Sequence, residues 1–304
     1  MKVVFVTGGA GFIGSHFVRM LCNKTNYKII VIDKLTYAGR LERIIDLVDS
    51  QKIDLYKDCI GNKNAMLDII TSYRPDVVVN FAADTHVDNS ISDPSTFVDN
   101  NIKNTFDFIE VVRQYYEGTD RGFRFLHVST DEVYGSATTG LFTEMSPYNP
   151  SSVYSASKAS SDHLIMAYHR TYGLPAIITH SSNNYGPSQF PEKLIPVLIK
   201  KALNKEKLPI YGNGQNSRDW LYVEDNCEAI LKVLERGKIG HHYNIASGDL
   251  KTNLEVASIV SELMFNKTGY RPEIEFVKDR LGHDLRYAVS TEKIESKLGW
   301  KSKT

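Results

Sequence analysis

Short, densely apolar runs recur along the first part of the chain, at residues 3–7, 28–32, 53–56, 77–81, 123–129 and 176–180, with amphipathic stretches between them. The runs are rich in Val, Ile and Phe and lack polar alternation, the pattern of strands buried on both faces of a parallel sheet. Segments such as 15–21, 96–116 and 153–171 are helix-compatible. The alternation predicts an α/β fold, a Rossmann-type doubly wound parallel sheet with helices on both faces. After Ser181 the pattern changes: Asn183-Asn184-Tyr185-Gly186-Pro187 and the stretch 211–218 are turn-rich, and the strands shorten. A first domain is therefore expected over 1–181 and a smaller C-terminal α/β lobe over 182–304. The chain should return to the first domain near 219–247, because Tyr243-Asn-Ile-Ala-Ser247 reads as a strand leaving a loop.

The first run leads straight into Gly8-Gly-Ala-Gly11-Phe-Ile-Gly14 and then into a helix-compatible segment. Glycines three apart, between a strand and a helix, allow a tight turn, backbone approach to a pyrophosphate, and close helix–strand packing. The helix N-terminus then faces the phosphates. Asp33 ends the second run nineteen residues past Gly14, where an acid takes the adenosine ribose hydroxyl and repels a 2′-phosphate. NAD is thus expected rather than NADP. Asp58, after the third run, is a weaker candidate for the adenine edge, since a lone loop carboxylate is usually just solvated. A glycine trio also occurs in ordinary turns; its position here, with the acid after the next strand, favours the dinucleotide.

Thr130-Asp131-Glu132 ends the fifth run, and Tyr154-Ser-Ala-Ser-Lys158 follows about twenty residues on. A tyrosine and a lysine four apart share a helix face, so the ammonium is expected to lower the phenol's pKa and suit it to taking an alcohol proton as a hydride leaves. Such pairs also arise as a packed ring beside a solvated amine; the glycine loop and the strand-ending Ser129-Thr130 tip the reading to catalysis. The adjacent carboxyls are not needed for alcohol oxidation and imply a second reaction, such as loss of water. His86 follows the fourth run, where loops line the cleft of such sheets.

Composition narrows the class. The 36 basic and 36 acidic residues cancel, so no global field recruits nucleic acid or a membrane. Three cysteines, Cys22, Cys59 and Cys227, are far apart and without metal spacing, which points to a reducing compartment and to neither a disulfide framework nor a metal site. No apolar stretch reaches membrane-span length, and the N-terminus reads as a core strand rather than a signal peptide. A soluble, cytoplasmic protein is expected.

The segments Thr7-Gly-Gly-Ala-Gly-Phe-Ile-Gly14, Ala82-Ala-Asp-Thr-His-Val-Asp88, Ser129-Thr-Asp-Glu-Val-Tyr-Gly135, Tyr154-Ser-Ala-Ser-Lys158, Ser182-Asn-Asn-Tyr-Gly-Pro187, Phe190-Pro-Glu-Lys-Leu-Ile-Pro196, Arg218-Asp-Trp-Leu-Tyr-Val-Glu-Asp225 and Asp279-Arg-Leu-Gly-His-Asp284 span nearly the whole chain. Together they resemble the dTDP-glucose 4,6-dehydratases, a branch of the extended short-chain dehydrogenases. The glycine loop and the Tyr/Lys pair are shared with sugar epimerases; the Thr-Asp-Glu triplet marks the dehydratases.

The resemblance implies that Tyr154, helped by Lys158, takes the proton of the sugar 4-hydroxyl while NAD takes the hydride. Thr130 positions the 4-oxygen, Glu132 removes the C5 proton and Asp131 protonates the departing 6-hydroxyl. It places Gly8, Gly11, Phe12, Ile13, Gly14, Asp33, Lys34, Thr36, Asp58, Ala82, Ala83, Tyr154 and Lys158 around NAD. It places Thr85, His86, Asn183, Glu192, Lys193, Leu194, Arg218, Asn253, Arg280 and His283 around the nucleotide sugar, with Tyr211 near the base. It also implies a homodimer in which 96–116 and 153–171 pair across a two-fold axis, using Phe97, Ile102, Phe106, Ile109, Val112, Leu164, Ile165 and Tyr168. The competing reading is that this stripe faces the chain's own core. Three departures stand out: Asn89 where many members have arginine, Asn226 for a frequent histidine, and an end at Thr304 where relatives continue through another amphipathic helix, so that a core patch is left uncovered or a tail is absent from this chain. UDP-glucose as substrate, or a 4-epimerase or reductase activity, are the alternatives, and a non-catalytic NAD-binding regulator is the rival outside enzymes.

Overall fold

The computed structural model describes residues 1–117 and 122–304. Strands β1 (Val3–Thr7), β2 (Lys28–Asp33), β3 (Ile53–Lys57), β4 (Val77–Asn80), β5 (Arg124–Thr130) and β6 (Ala176–Ser181) fall on the six apolar runs to within a residue at most ends. After β6 come β7 (Asn183–Tyr185), β8 (Leu208–Tyr211), β9 (Ser217–Tyr222), β10 (His242–Ile245), β11 (Leu250–Thr252) and β12 (Ile274–Val277), mostly of three or four residues, though β9 has six. Seven strands form one parallel sheet in the order β10-β6-β5-β4-β1-β2-β3, the doubly wound Rossmann arrangement. The order reverses between β1 and β4, so the carboxyl ends of those strands open a crevice. β10 joins this sheet from beyond the second lobe, beside β6.

Both faces of the sheet are buried, which is why its strands are continuously apolar. One core packs Val4, Val6, Ile29 and Val31 under the helices Phe12–Lys24 and Val223–Arg236, and is closed by Ile294, Leu298 and Trp300. The other packs Phe5, Ile30, Val78 and Phe125 under the helices Lys63–Tyr73, Asn104–Glu117 and Val153–Tyr172. A third core, around Leu198, Ile210, Trp220 and Val256, belongs to the smaller lobe, whose strands pair as β11-β9-β7 and β12-β8.

Two differences from the sequence reading have physical causes. The single helix expected over 96–116 is Pro94–Phe97, a π-helical stretch Val98–Lys103, and Asn104–Glu117. The widening turns Asn101 inward, where its amide bonds the backbone of Asp84 at 2.8 and 2.9 Å and Ser157 Oγ at 2.9 Å. Ser161 Oγ donates to the Asn101 carbonyl at 2.6 Å. The proposed dimer stripe also largely faces inward: Phe97, Ile109, Val112, Ile165 and Tyr168 are buried in the chain's own cores, Ile102 and Leu164 are half-buried, and Phe106 alone of the eight is exposed. A sheet face that must be covered along its length claims most of the apolar surface of both helices.

Candidate active site

The crevice beside β1 and β4 is a cavity lined by every residue expected around the dinucleotide: Gly8, Gly11, Phe12, Ile13, Gly14, Asp33, Lys34, Thr36, Asp58, Ala82, Ala83, Tyr154 and Lys158. Gly8 has φ +68°, and a Cβ at Gly14 would lie 2.2 Å from the Gly8 carbonyl oxygen, so loop and helix meet at a distance only glycine allows. The helix Phe12–Lys24 starts at Gly11 with no side-chain cap and no acid in its first turn. Its free N–H groups therefore present a positive end to the cavity, as an anion such as a pyrophosphate requires. Asp33, 7% exposed, accepts from Ala10 N at 2.9 Å and from Leu35 N at 2.8 Å. Burial raises its pKa, while those two N–H groups and Arg43 oppose the rise. An acid held at this end of β2 fits a ribose diol, and the uncapped glycine loop fits a diphosphate; the residues present suit NAD.

The same cavity is lined by Tyr37, Cys59, Asn100, Asn104, Gln189 and Phe190, which sequence reasoning missed. Asn100 and Asn104 carried a signal: they are polar, four apart, on a helix that otherwise covers the core, and Asn104 donates to Asn100 Oδ1 at 3.0 Å. Phe190 reaches over from the second lobe, edge-on to Tyr37 at 5.4 Å and under the Arg40 guanidinium at 4.9 Å. No local pattern announces such a contact.

Thr130 ends β5 and caps a short turn, Asp131–Tyr134, by accepting from Glu132 N at 3.3 Å. Asp131 is 2% exposed and its Oδ2 has no hydrogen-bond partner among the described residues. Burial drives its carboxyl well above the usual range, reinforced by Glu132 and Asp219 and opposed by Arg218. Burial raises Glu132 as well, but the cations Arg218, Arg280 and Lys193 oppose that rise. The pair is thus biased towards a protonated Asp131 beside a more readily ionised Glu132. Tyr287 OH lies 3.4 Å from Glu132 Oε2 and donates to Asp284 at 2.7 Å.

Tyr154 and Lys158 sit in the first turns of the helix Val153–Tyr172, which is fixed by a Ser152/Ser155 capping box. Both are buried, at 7% and 3% exposure. The expectation that the lysine lowers the phenol's pKa is not met in this structure. Burial pushes Tyr154 above its ordinary value, Glu132 and Asp131 add to this, and only a hydrogen bond with Thr130 opposes it. The Lys158 ammonium is turned instead to Val128 O at 2.9 Å and His127 Nε2 at 3.1 Å, and its burial lowers it to about 8.

Residues expected around the sugar nucleotide come from both lobes. Lys193 donates to Thr85 O at 2.6 Å, and Arg280 and Tyr211 both approach Asp88, at 3.7 and 3.3 Å. Thr85, Glu192 and Lys193 also line the cavity. Arg218 donates to Asp284 O at 2.8 Å and lies 4.2 Å over the Tyr287 ring. Asn183 Oδ1 and Arg280 Nε are buried without hydrogen-bond partners among the described residues, polar atoms left ready for a ligand. His86, its pKa lowered by burial and by Lys193, stands 3.8 Å from Asp88, and His283 bonds Asp279 at 2.7 Å. Asn253 is buried at the start of the helix Asn253–Thr268, its N–H bonded to Asn216 O at 2.9 Å. Leu194 is the least site-like of the set: it packs against the small-lobe core. Asn89, one of the departures, donates to Tyr37 OH at 3.1 Å.

A Rossmann crevice with a buried Tyr/Lys pair and adjacent carboxyls defines a dinucleotide-dependent enzyme of the extended short-chain dehydrogenase type. The profile of the GDP-mannose 4,6 dehydratase family matches residues 5–304. The dTDP-glucose 4,6-dehydratase of Salmonella typhimurium is 48% identical, over 99% of this chain and 88% of its own length. That of Neisseria meningitidis is 46% identical over 99% and 88%. The crystal structure of DesIV, a dTDP-glucose 4,6-dehydratase of Streptomyces venezuelae with NAD and TYD bound, superposes with a TM-score of 0.92 at 40% identity, covering 100% of this chain and 92% of that one. A UDP-glucose 4-epimerase of Thermotoga maritima shares the fold at a TM-score of 0.89 but only 29% identity, over 100% and 94%. The chain belongs to the nucleotide-sugar 4,6-dehydratase family, among its dTDP-glucose 4,6-dehydratases.

Proposed function

We propose that this enzyme converts dTDP-glucose to dTDP-4-keto-6-deoxyglucose. The observation that carries the reading is the carboxyl pair: an orphaned, acid-favouring Asp131 next to a Glu132 faced by Arg218, Arg280 and Lys193. NAD in the cavity supplies a hydride acceptor that gives the hydride back, so net redox is zero. Tyr154, as its phenolate, takes the proton from the sugar 4-hydroxyl, and Thr130, at the end of β5, holds the 4-oxygen. Glu132 then removes the C5 proton, made acidic by the 4-ketone, and Asp131 delivers its proton to the departing 6-hydroxyl. Lys193, Arg218 and Arg280 meet the diphosphate. Incubation with dTDP-glucose and, separately, UDP-glucose, followed by assay for a 4-keto product, tests this. Product from dTDP-glucose alone is expected; a 4-epimer with no loss of water would sink the reading.

We further propose a homodimer. It is supported by a small exposed aromatic patch on the two long helices, where Phe106 is 38% and Tyr172 46% exposed, each beside Tyr168. Arg113 and Lys63 cover these rings, so an isologous contact there would be compact and rimmed by charge. Sedimentation at micromolar concentration is expected to give twice 34.3 kDa, and Phe106→Glu to give the monomer.

A further inference from the structure

Three polar side chains lie abreast on the three central strands. Thr7 on β1 is paired with Asn80 on β4, and Asn80 with His127 on β5. All three are fully buried, in a sheet where apolar residues would avoid any desolvation cost. Thr7 Oγ1 donates to Asn80 Oδ1 at 2.5 Å, Asn80 Nδ2 lies 3.0 Å from His127 Nδ1, and His127 Nε2 lies 3.1 Å from Lys158 Nζ. The reaction as derived above uses none of the three.

Counting protons along this chain ties it to the charge of Lys158. With Asn80 Nδ2 facing the ring, Nδ1 accepts and the ring proton sits on Nε2. Nζ opposite must then accept, as a neutral amine does, while still donating to Val128 O at 2.9 Å. A half-turn of the Asn80 amide reverses every donor. Oδ1 then accepts from Nδ1–H, Nε2 becomes an acceptor, and an ammonium can donate both to it and to Val128 O. Ring and backbone need not move, and Thr7 Oγ1 turns from donor to acceptor, taking a hydrogen of Asn80 Nδ2.

We propose that Thr7, Asn80 and His127 form a reversible hydrogen-bond chain that sets the charge of Lys158, with Asn80 and His127 as positioning residues for the first proton transfer. The proposal rests on the reading of Lys158 as the partner of Tyr154. The titratable groups bearing on the chain are Asp162 on the lysine's own helix, 3.6 Å from His127 Nε2, and His180 on β6. Glu132 and Asp131, on the turn after β5, bear on Tyr154. Burial and the nearby lysine hold His127 well below its ordinary value, so the ring stays neutral and exchanges only its tautomer. Asp162 favours the ammonium, against burial.

The test is nitrogen-15 NMR of the purified holoenzyme labelled at histidine and lysine. His127 is expected to pass from the Nε2–H to the Nδ1–H tautomer as pH falls through the range in which Lys158 gains its proton. A ring that keeps one tautomer while Lys158 titrates overturns the proposal, and this measurement needs no variant. Turnover of His127→Phe gives a second readout. With one acceptor gone, the alkaline limb of kcat should move down by about one pH unit, whereas His127→Gln, whose amide can reverse, should keep it in place. A uniform drop in kcat with the limb unmoved, or the same displacement in both variants, would mark His127 as merely structural. Failure of the underlying reading would show separately, as Lys158→Met with undiminished turnover while the NMR exchange persists.

Discussion

Asp131 and Glu132 are neighbours in sequence but meet opposite surroundings: Asp131 is buried with an unpartnered oxygen, while Glu132 looks towards Arg218, Arg280 and Lys193. Both carboxyls are raised, Asp131 the further. Activity should therefore rise with pH as Glu132 ionises, so that the acid limb of the profile belongs to the glutamate. Glu132→Gln should abolish exchange of the sugar C5 proton with solvent and reduce turnover by about 10²–10⁴-fold. Asp131→Asn should lose water elimination to a similar degree yet still exchange the C5 proton after the first oxidation. Equal loss of exchange in both variants, read by mass spectrometry in deuterium oxide, would contradict this division of roles.

The same burial predicts a stability effect of unusual sign. Asp131 has a folded pKa above its unfolded one, so its contribution to stability is present below the unfolded value, near pH 4, and is lost as pH rises towards the folded value. Between the two values the folded protein holds a proton that the unfolded chain gives up freely. Asp131→Asn should therefore stabilise the fold at pH 7 by about 1 kcal/mol or more, with the gain vanishing below about pH 4. Urea unfolding at both pH values checks it; destabilisation at pH 7 would show that the carboxyl is ionised and paired.

The glycine loop makes a prediction about retention. Because the hydride is returned in each cycle, the protein should purify with NAD bound and need none added. Gly14→Ala puts a Cβ 2.2 Å from the Gly8 carbonyl oxygen, forcing loop and helix apart. Bound NAD, measured after acid release, should fall, and its affinity should weaken by about tenfold or more. Full retention would mean that the loop does not form the cradle.

The sheet was legible because its strands are buried on both faces and so write themselves as Val4-Phe-Val6, Ile29-Ile-Val31 and Val77-Val-Val79. The dinucleotide cavity was legible because a glycine loop at the end of β1 is a local feature. The π-helical stretch was not, since it answers to Asp84 and Ser157, distant in sequence from Asn101. Nor was the cover from Phe190, which depends on where the second lobe docks. The Tyr154–Lys158 spacing was visible, but not the direction of the amine. The partners that turn it, Val128 and His127, lie on a strand about thirty residues earlier in the chain.

Behind the lysine, Asp162 is held at 1% exposure by three donors: Ser129 Oγ at 2.8 Å, Tyr148 OH at 3.1 Å and His180 Nε2 at 3.1 Å. Burial acts to raise its carboxyl, but the His180 hydrogen bond and the nearby Lys158 prevail and hold it down at about 2. The folded value lies below the unfolded one, near 3.9. Its stabilisation is therefore complete above about pH 4 and is lost as pH falls towards 2. The three donors all bond Oδ2, so Asp162→Asn can keep them on its amide oxygen but loses the charge that strengthens them, at a cost of about 2 kcal/mol at pH 7. Urea unfolding should show that deficit shrinking as pH is lowered from 7 towards 3. A deficit independent of pH would mean that the side chain acts through packing and not through its charge.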